Sequence, residues 1–110
     1  MYRIGEFAEM TGLTKETLRY YAQMELLVPV FVNPKNKYSY YDNHSFLTAR
    51  LLVYLRRFDF SIQEMLTVIH DRSLFELEEI LKEKKVALRQ RIVETEAIVT
   101  EIDEFLEMGD

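Results

Sequence analysis

Apolar residues recur at helical spacing almost from the first position. Ile4, Phe7 and Ala8 stand at i, i+3 and i+4, so the pattern predicts a short helix over Ile4–Met10. Gly12 ends it, and Thr14 is placed to cap a second helix running to about Met24. On a wheel, Leu18, Tyr21 and Ala22 gather on one side of that helix, with Met24 at its shoulder. Lys15, Glu16, Arg19 and Gln23 gather on the other, and Thr17 and Tyr20 sit at the boundary. Helical neighbours lie about 100° apart, so adjacent Tyr20 and Tyr21 divide. Tyr21 packs inward and Tyr20 stands out beside Arg19. Two short helices joined by a tight, glycine-containing turn form a helix-turn-helix pattern.

The period then changes. Val28–Val32 is β-branched and aromatic, interrupted by Pro29. Asn33-Pro34-Lys35-Asn36-Lys37 is turn chemistry, and Tyr38–Tyr41 is again strand-like. These segments predict a β-hairpin with a basic tip. Alternation puts Tyr38 and Tyr40 on one face and Tyr41 on the other. Asp42 caps a third helix from about Asn43 to Phe58, whose apolar face holds Phe46, Leu47, Leu51, Val53, Tyr54 and Leu55. Ser61 with Glu64 three residues later matches a capping box. A fourth helix begins there, carrying Met65, Leu66, Val68 and Ile69.

After Asp71-Arg72-Ser73, one segment runs to about Met108 without glycine or proline. A heptad fits it, with a positions Leu74, Leu81, Leu88, Thr95 and Ile102, and d positions Leu77, Lys84, Arg91, Ile98 and Phe105. Seven of these ten are apolar, which is a coiled-coil seam. Ile80, Ala87, Ile92, Val99 and Leu106 widen it. A helix of ~35 residues is about 50 Å long, too long for the preceding segments to cover. The seam therefore predicts a second copy across a two-fold axis. Its interface is expected at Leu77, Leu81, Lys84, Leu88, Arg91, Ile92, Thr95, Ile98, Val99, Ile102 and Phe105. The expected division is a domain over residues 1–71 and a dimerisation helix over 72–110.

Composition narrows the function. The chain lacks cysteine, which excludes disulfides, thiolate metal sites and cysteine catalysis. No apolar run approaches the ~18 residues of a membrane span, and the N-terminus mixes charges too early for an export signal. The expectation is a cytoplasmic protein with no membrane partner. Net charge is −5, but it is unevenly spread. Residues 1–60 carry eight Lys/Arg against six Asp/Glu, whereas residues 61–110 carry six against thirteen. Such asymmetry fits a first half that faces nucleic acid, although a balance of +2 is equally that of ordinary solvated surface. His44 and His70 lie 26 positions apart with no second ligand in register, so no metal site is expected. The acidic run Glu76–Glu83 lacks calcium-loop spacing and reads as the outer face of the coiled coil. No phosphate loop, Ser/His/Asp set or catalytic carboxylate pair stands out. Neither enzymatic activity nor a cofactor is expected.

One resemblance gathers these pieces. Ile4-Gly5-Glu6-Phe7-Ala8, Thr14, Leu18-Arg19-Tyr20-Tyr21, Leu26-Leu27 and Pro29 resemble the start of a MerR-family transcription regulator. Tyr38-Ser39-Tyr40-Tyr41-Asp42, the Leu-rich helix and Phe60-Ser61-Ile62-Gln63-Glu64-Met65 continue it. The resemblance covers about residues 2–70 in motif detail and the long helix in architecture. It implies a mostly α fold, a winged helix-turn-helix with a small β-hairpin wing and a long C-terminal helix forming an antiparallel coiled-coil dimer. It also implies a homodimer on pseudo-palindromic promoter DNA that bends and untwists an over-long spacer, with RNA polymerase as a partner at the promoter.

The DNA-binding set expected on these grounds is Thr14, Lys15, Thr17, Arg19 and Tyr20 from the helix, and Lys35, Lys37 and Tyr40 from the wing. Tyr21 is added as a phosphate contact that also packs inward, and Arg56 as a second-wing phosphate contact. The chain departs from the pattern at Ser39, where the family's wing usually carries arginine. Lys35 and Lys37 replace that charge but not its bidentate geometry. Two other functions fit the pattern: a coiled-coil interaction module that kept the fold without DNA affinity, and a small-ligand sensor of the multidrug type. Promoter, direction of control and inducing signal are not encoded in any motif.

Overall fold

The computed structural model describes residues 1–71 and 74–109. Of the expected boundary at 71/72, residue 72 lies outside that set. Two compact units divide the chain, Met1–Arg72 and Ser73–Asp110.

The first unit begins with a strand that periodicity does not reveal. Tyr2–Arg3 (β1) leads directly into a helix over Ile4–Thr11 (α1), followed by Lys15–Gln23 (α2). Phe31–Val32 (β2) and Ser39–Tyr41 (β3) form the hairpin, with Asn43–Arg57 (α3) and Ile62–Asp71 (α4) after it. The hairpin is therefore part of a three-stranded antiparallel sheet ordered β1-β3-β2. Tyr2 pairs with Tyr41, Arg3 and Phe31 with Tyr40, and Val32 with Ser39. The first hairpin strand is shorter than the expected Val28–Val32, because Pro29 supplies no N–H to a ladder.

Turns and caps follow local chemistry. Gly12 ends α1 at φ 78°, a left-handed conformation that glycine reaches without a Cβ penalty. Thr14 caps α2 by accepting from the Thr17 N–H at 3.0 Å. Asp42 caps α3, its Oδ1 accepting from the Ser45 N–H at 2.8 Å and the Ser45 hydroxyl at 2.9 Å. These bonds satisfy Ser45, which is buried. Ser61 and Glu64 close the expected capping box, each accepting from the other's N–H at 3.1 and 2.9 Å.

The core gathers Phe7 from α1, Leu18 and Tyr21 from α2, Tyr41 from β3, Leu52 and Leu55 from α3 and Met65 from α4. Phe7 and Tyr41 stack with ring centroids 4.4 Å apart and planes 6° from parallel. This stack fixes the sheet against α1. Burying a side chain of this size is worth about 1.5–3 kcal/mol, so these few contacts hold the wing and the helix pair in one orientation.

The second unit is a single helix, Leu74–Met108 (α5), of 35 residues. No described residue of it is buried. Ile98, Val99, Ile102 and Phe105 are 53–72% exposed within the chain.

Candidate nucleic-acid interface

α2 separates its two faces as its sequence requires. Leu18 and Tyr21 are sealed in the core, while Lys15, Glu16, Arg19 and Tyr20 face solvent and Thr17 is half-buried. Tyr20 keeps 45% of its surface. The Thr14 hydroxyl donates to the Thr17 hydroxyl at 2.9 Å. Both threonines are thereby tied into the helix start, and Thr17 retains acceptor capacity.

A groove of about 730 Å³ runs along one flank of α2, between it, the start of α1 and the wing. Arg3, Lys15, Arg19 and Lys37 line it, together with Glu6 and Tyr38. None of these four cations has a carboxylate partner among the described residues. The Glu6 carboxylate instead accepts the Arg3 backbone N–H at 3.2 Å, completing the cap of α1. Gly5 lies under the Lys15 side chain, where a Cβ would make ordinary contact at 3.4 Å from the lysine Cε. Arg19 also acts on the base of the wing. Burial pushes the Tyr41 phenol above its ordinary pKa, and the Arg19 charge opposes that shift.

A second groove of about 470 Å³ lies on the other flank, lined by Thr17, Tyr20, Tyr21, Arg56, Phe60 and their neighbours. Arg56 is exposed near the end of α3, so the fold brings it beside the α2 residues singled out from sequence. Tyr21 lines the same groove, and its hydroxyl is buried without a hydrogen-bond partner. A buried unsatisfied hydroxyl costs on the order of 1–3 kcal/mol. The hydroxyl is sealed from solvent in this conformation, so a phosphate reaches it only if the groove wall shifts.

The wing tip is built by Asn33. Its Oδ1 accepts from the Lys35 N–H at 2.8 Å, and its carbonyl accepts from the Lys37 N–H, also at 2.8 Å. Lys37 takes φ 65°, which turns the chain back into β3. Lys37 reaches the first groove, whereas Lys35 stays exposed at the tip outside its lining. Tyr40 is half-buried against Phe31, with ring centroids 5.8 Å apart. Sequence reasoning missed Arg3. Its two-residue strand shows no period, and the other cations of the groove, Lys15, Arg19 and Lys37, lie more than ten positions away.

The residues expected at a dimer seam share one stretch of α5. Leu77, Leu81, Lys84 and Leu88 are half-buried, and every residue from Arg89 to Gly109 is exposed, including Arg91, Ile92 and Thr95. The Thr95 hydroxyl donates to the Arg91 carbonyl at 2.7 Å, which satisfies this polar residue within its own helix. Val86 and Val93 are also exposed, on a face outside the heptad seam.

Residues 2–70 match the model of the MerR HTH family regulatory proteins. The chain is 25% identical over 99 residues to the multidrug-efflux transporter 2 regulator of Bacillus subtilis, covering 90% of this chain and 36% of that protein. It is 28% identical over 105 residues to the HTH-type transcriptional regulator ZntR of Escherichia coli K12, covering 93% and 71%. The chain thus spans about a third of the length of the multidrug-efflux regulators it matches. Among solved structures, the EcmrR–DNA complex superposes with a TM-score of 0.77 at 27% identity, covering 96% of this chain and 38% of EcmrR. The N-terminal part of the Bacillus subtilis multidrug transporter activator superposes at 0.86 with 22% identity, covering 96% and 98%, a likeness of fold.

Proposed function

The chain belongs to the MerR family of helix-turn-helix regulatory proteins, and from that footing we propose that it binds a pseudo-palindromic promoter as a homodimer and controls transcription by distorting the spacer DNA. α2 enters the major groove, where Arg19 and Tyr20 meet base edges or phosphate, with Lys15 and Thr17 beside them and Thr14 at the helix start. Lys35, Lys37 and Tyr40 of the wing follow the backbone, and Arg56 holds it on the far side. RNA polymerase is the partner at the promoter, and the cytoplasm is the compartment. Residues 1–71 carry the DNA interface and residues 72–110 the dimer contact.

The observation that carries this reading is the arrangement around α2. The groove on one flank holds Arg3, Lys15, Arg19 and Lys37 against Glu6, and the groove on the other holds Arg56 beside Glu16, so each flank carries at least one cation. A helix lying in the major groove has a phosphate backbone on each side, and positive charge on both flanks matches that geometry. Bending a site of 20–30 base pairs costs of order 1–6 kcal/mol, which a pair of grips on each half-site offsets. Two further observations support the reading: a protein similar to this one at 27% identity was solved as a DNA complex, and α5 leaves an apolar stripe exposed that a second copy would cover.

Footprinting on the DNA flanking the protein's own gene tests the proposal. The expected result is one protected region with two-fold symmetry and a hypersensitive position at its centre, where the spacer is distorted. Complete absence of protection at micromolar protein and low salt would remove DNA binding. A single asymmetric footprint would remove the dimer.

A further inference from the structure

We propose that Arg3, on the two-residue strand β1, is a DNA-backbone contact of the wing, its guanidinium presented to a phosphodiester of duplex DNA by Tyr38. This rests on the DNA-binding reading and assigns a contact beyond it. Three observations lead there.

The first is placement. Arg3 pairs with Tyr40 across β3, so its side chain leaves the sheet on Tyr40's face. Residue 38 lies two positions along the same chain. The second is the stack. The Arg3 guanidinium carbon sits 3.9 Å from the centroid of the Tyr38 ring. A planar guanidinium laid on an aromatic face loses rotational freedom while its in-plane N–H donors remain available, and an anion takes those donors in pairs. The third is the company it keeps. Arg3 lines the groove with Lys15, Arg19 and Lys37, and none of the four has a carboxylate partner among the described residues. Against four cations the groove holds one carboxylate, Glu6, so an excess of positive charge remains for a polyanion to neutralise.

The rest of the wing sharpens the assignment. β3 carries Ser39, which also lines the groove, so the hairpin itself offers no guanidinium there. The bidentate phosphate ligand of this wing comes from the neighbouring strand. Lys15 and Lys37 add point charges without a fork. β1 is thus more than an edge that closes the sheet: its pairing with β3 aims Arg3.

The test uses the full 110-residue chain and a 40-base-pair duplex selected by the wild-type protein from a random pool, with affinity followed by anisotropy over a salt series. Each phosphate contact in B-DNA contributes about 0.9 to the slope of log affinity against log salt. Arg3→Gln is expected to weaken binding about tenfold at 100 mM salt and to lower the slope by about two, one contact from each protomer of the proposed dimer. Thermal melting should stay near wild type, because the backbone pairing of β1 is kept. Arg3→Lys should keep the slope and regain part of the affinity. Adding Ser39→Arg to Arg3→Gln should regain part of the affinity and of the slope, since Ser39 lines the same groove from the other face of β3. If Arg3→Gln changes neither affinity nor slope while Arg19→Ala weakens binding, the Arg3 contact is refuted and the DNA-binding reading stands. If the wild-type chain selects no duplex, both fall. If Arg3→Gln weakens binding at unchanged slope and Ser39→Arg gives no rescue, Arg3 acts only through the fold and the proposal fails.

Discussion

Tyr20 and Tyr21 show how much one helical step of about 100° decides. The wheel separates them correctly: Tyr21 is sealed at 1% exposure and Tyr20 stands at 45%. It cannot show that the Tyr21 hydroxyl ends up without a partner, because that depends on α3 and α4 residues far along the chain. The orphan hydroxyl makes two roles separable. Tyr21→Phe removes a buried polar atom with no partner and keeps the ring, so the folded state should gain about 1 kcal/mol in denaturant unfolding. If phosphate supplies the missing partner in the complex, the same substitution should weaken DNA binding several-fold. A less stable protein with unchanged DNA affinity would show that the hydroxyl serves the core instead.

At the scale of elements, chain ends are better encoded than chain pairings. The caps at Thr14, Asp42 and Ser61 are legible because a short polar side chain next to a periodic run has one obvious use. The strand β1 is not, since two residues hold no period and its partner residues lie 37 and 39 positions away. The ends of α2 and α3 are half-legible. Both close with a non-glycine residue in the left-handed region, Glu25 at φ 61° and Asp59 at φ 67°. Leu26 and Phe60 then donate back to Tyr21 and Leu55 at 2.8 and 3.0 Å, and both are buried. This is the Schellman geometry, and the burial of the following residue holds it in place of glycine. His70 adds a tie, with its Nε2 2.9 Å from the Glu25 carbonyl. Because a carbonyl only accepts, Nε2 carries the proton.

The cap of α3 makes a pH prediction. Bonds from the Ser45 N–H, then from the Ser45 hydroxyl, hold the Asp42 carboxyl below its usual value of 3.8. The folded pKa is depressed, so the stabilisation is present above the unfolded value and is lost as pH falls through the folded one. Asp42→Ala should therefore lower the melting temperature at pH 7, and the gap to wild type should shrink below about pH 4. A gap that is constant from pH 7 to pH 3 would show that the carboxylate charge contributes nothing to the cap.

At the scale of the whole molecule, the heptad of α5 predicts a partner helix along its length. Ile98, Ile102 and Phe105 are more than half exposed in the single chain, as a seam awaiting a partner requires. Thr95 fits such a seam because its hydroxyl is already satisfied by Arg91. Ile98→Asp would bury a carboxylate twice in a two-fold interface, which costs several kcal/mol for each ion left unpaired. Light scattering should then report the 13.2 kDa monomer in place of twice that mass, and DNA affinity should fall on the order of 10²–10⁴-fold as the second half-site is lost. An unchanged mass would place the interface elsewhere.

The shortness of α2 carries a consequence in terms of information. Nine residues make a helix of about 13 Å, which spans about four base pairs at ~3.4 Å each. Four positions distinguish about 256 sequences, and two copies at a fixed separation about 65,000, if every base edge were read fully. A genome offers on the order of 10⁶ or more competing sites, so perfect reading by both helices still leaves many equally good addresses. The deficit is about 15-fold or larger, and sequence that the protein never touches has to close it. A spacer whose stiffness and twist are selected by its energy of deformation is such a source, and in the proposed dimer the 35 residues of α5 would set how much of that uncontacted sequence lies between the two readers.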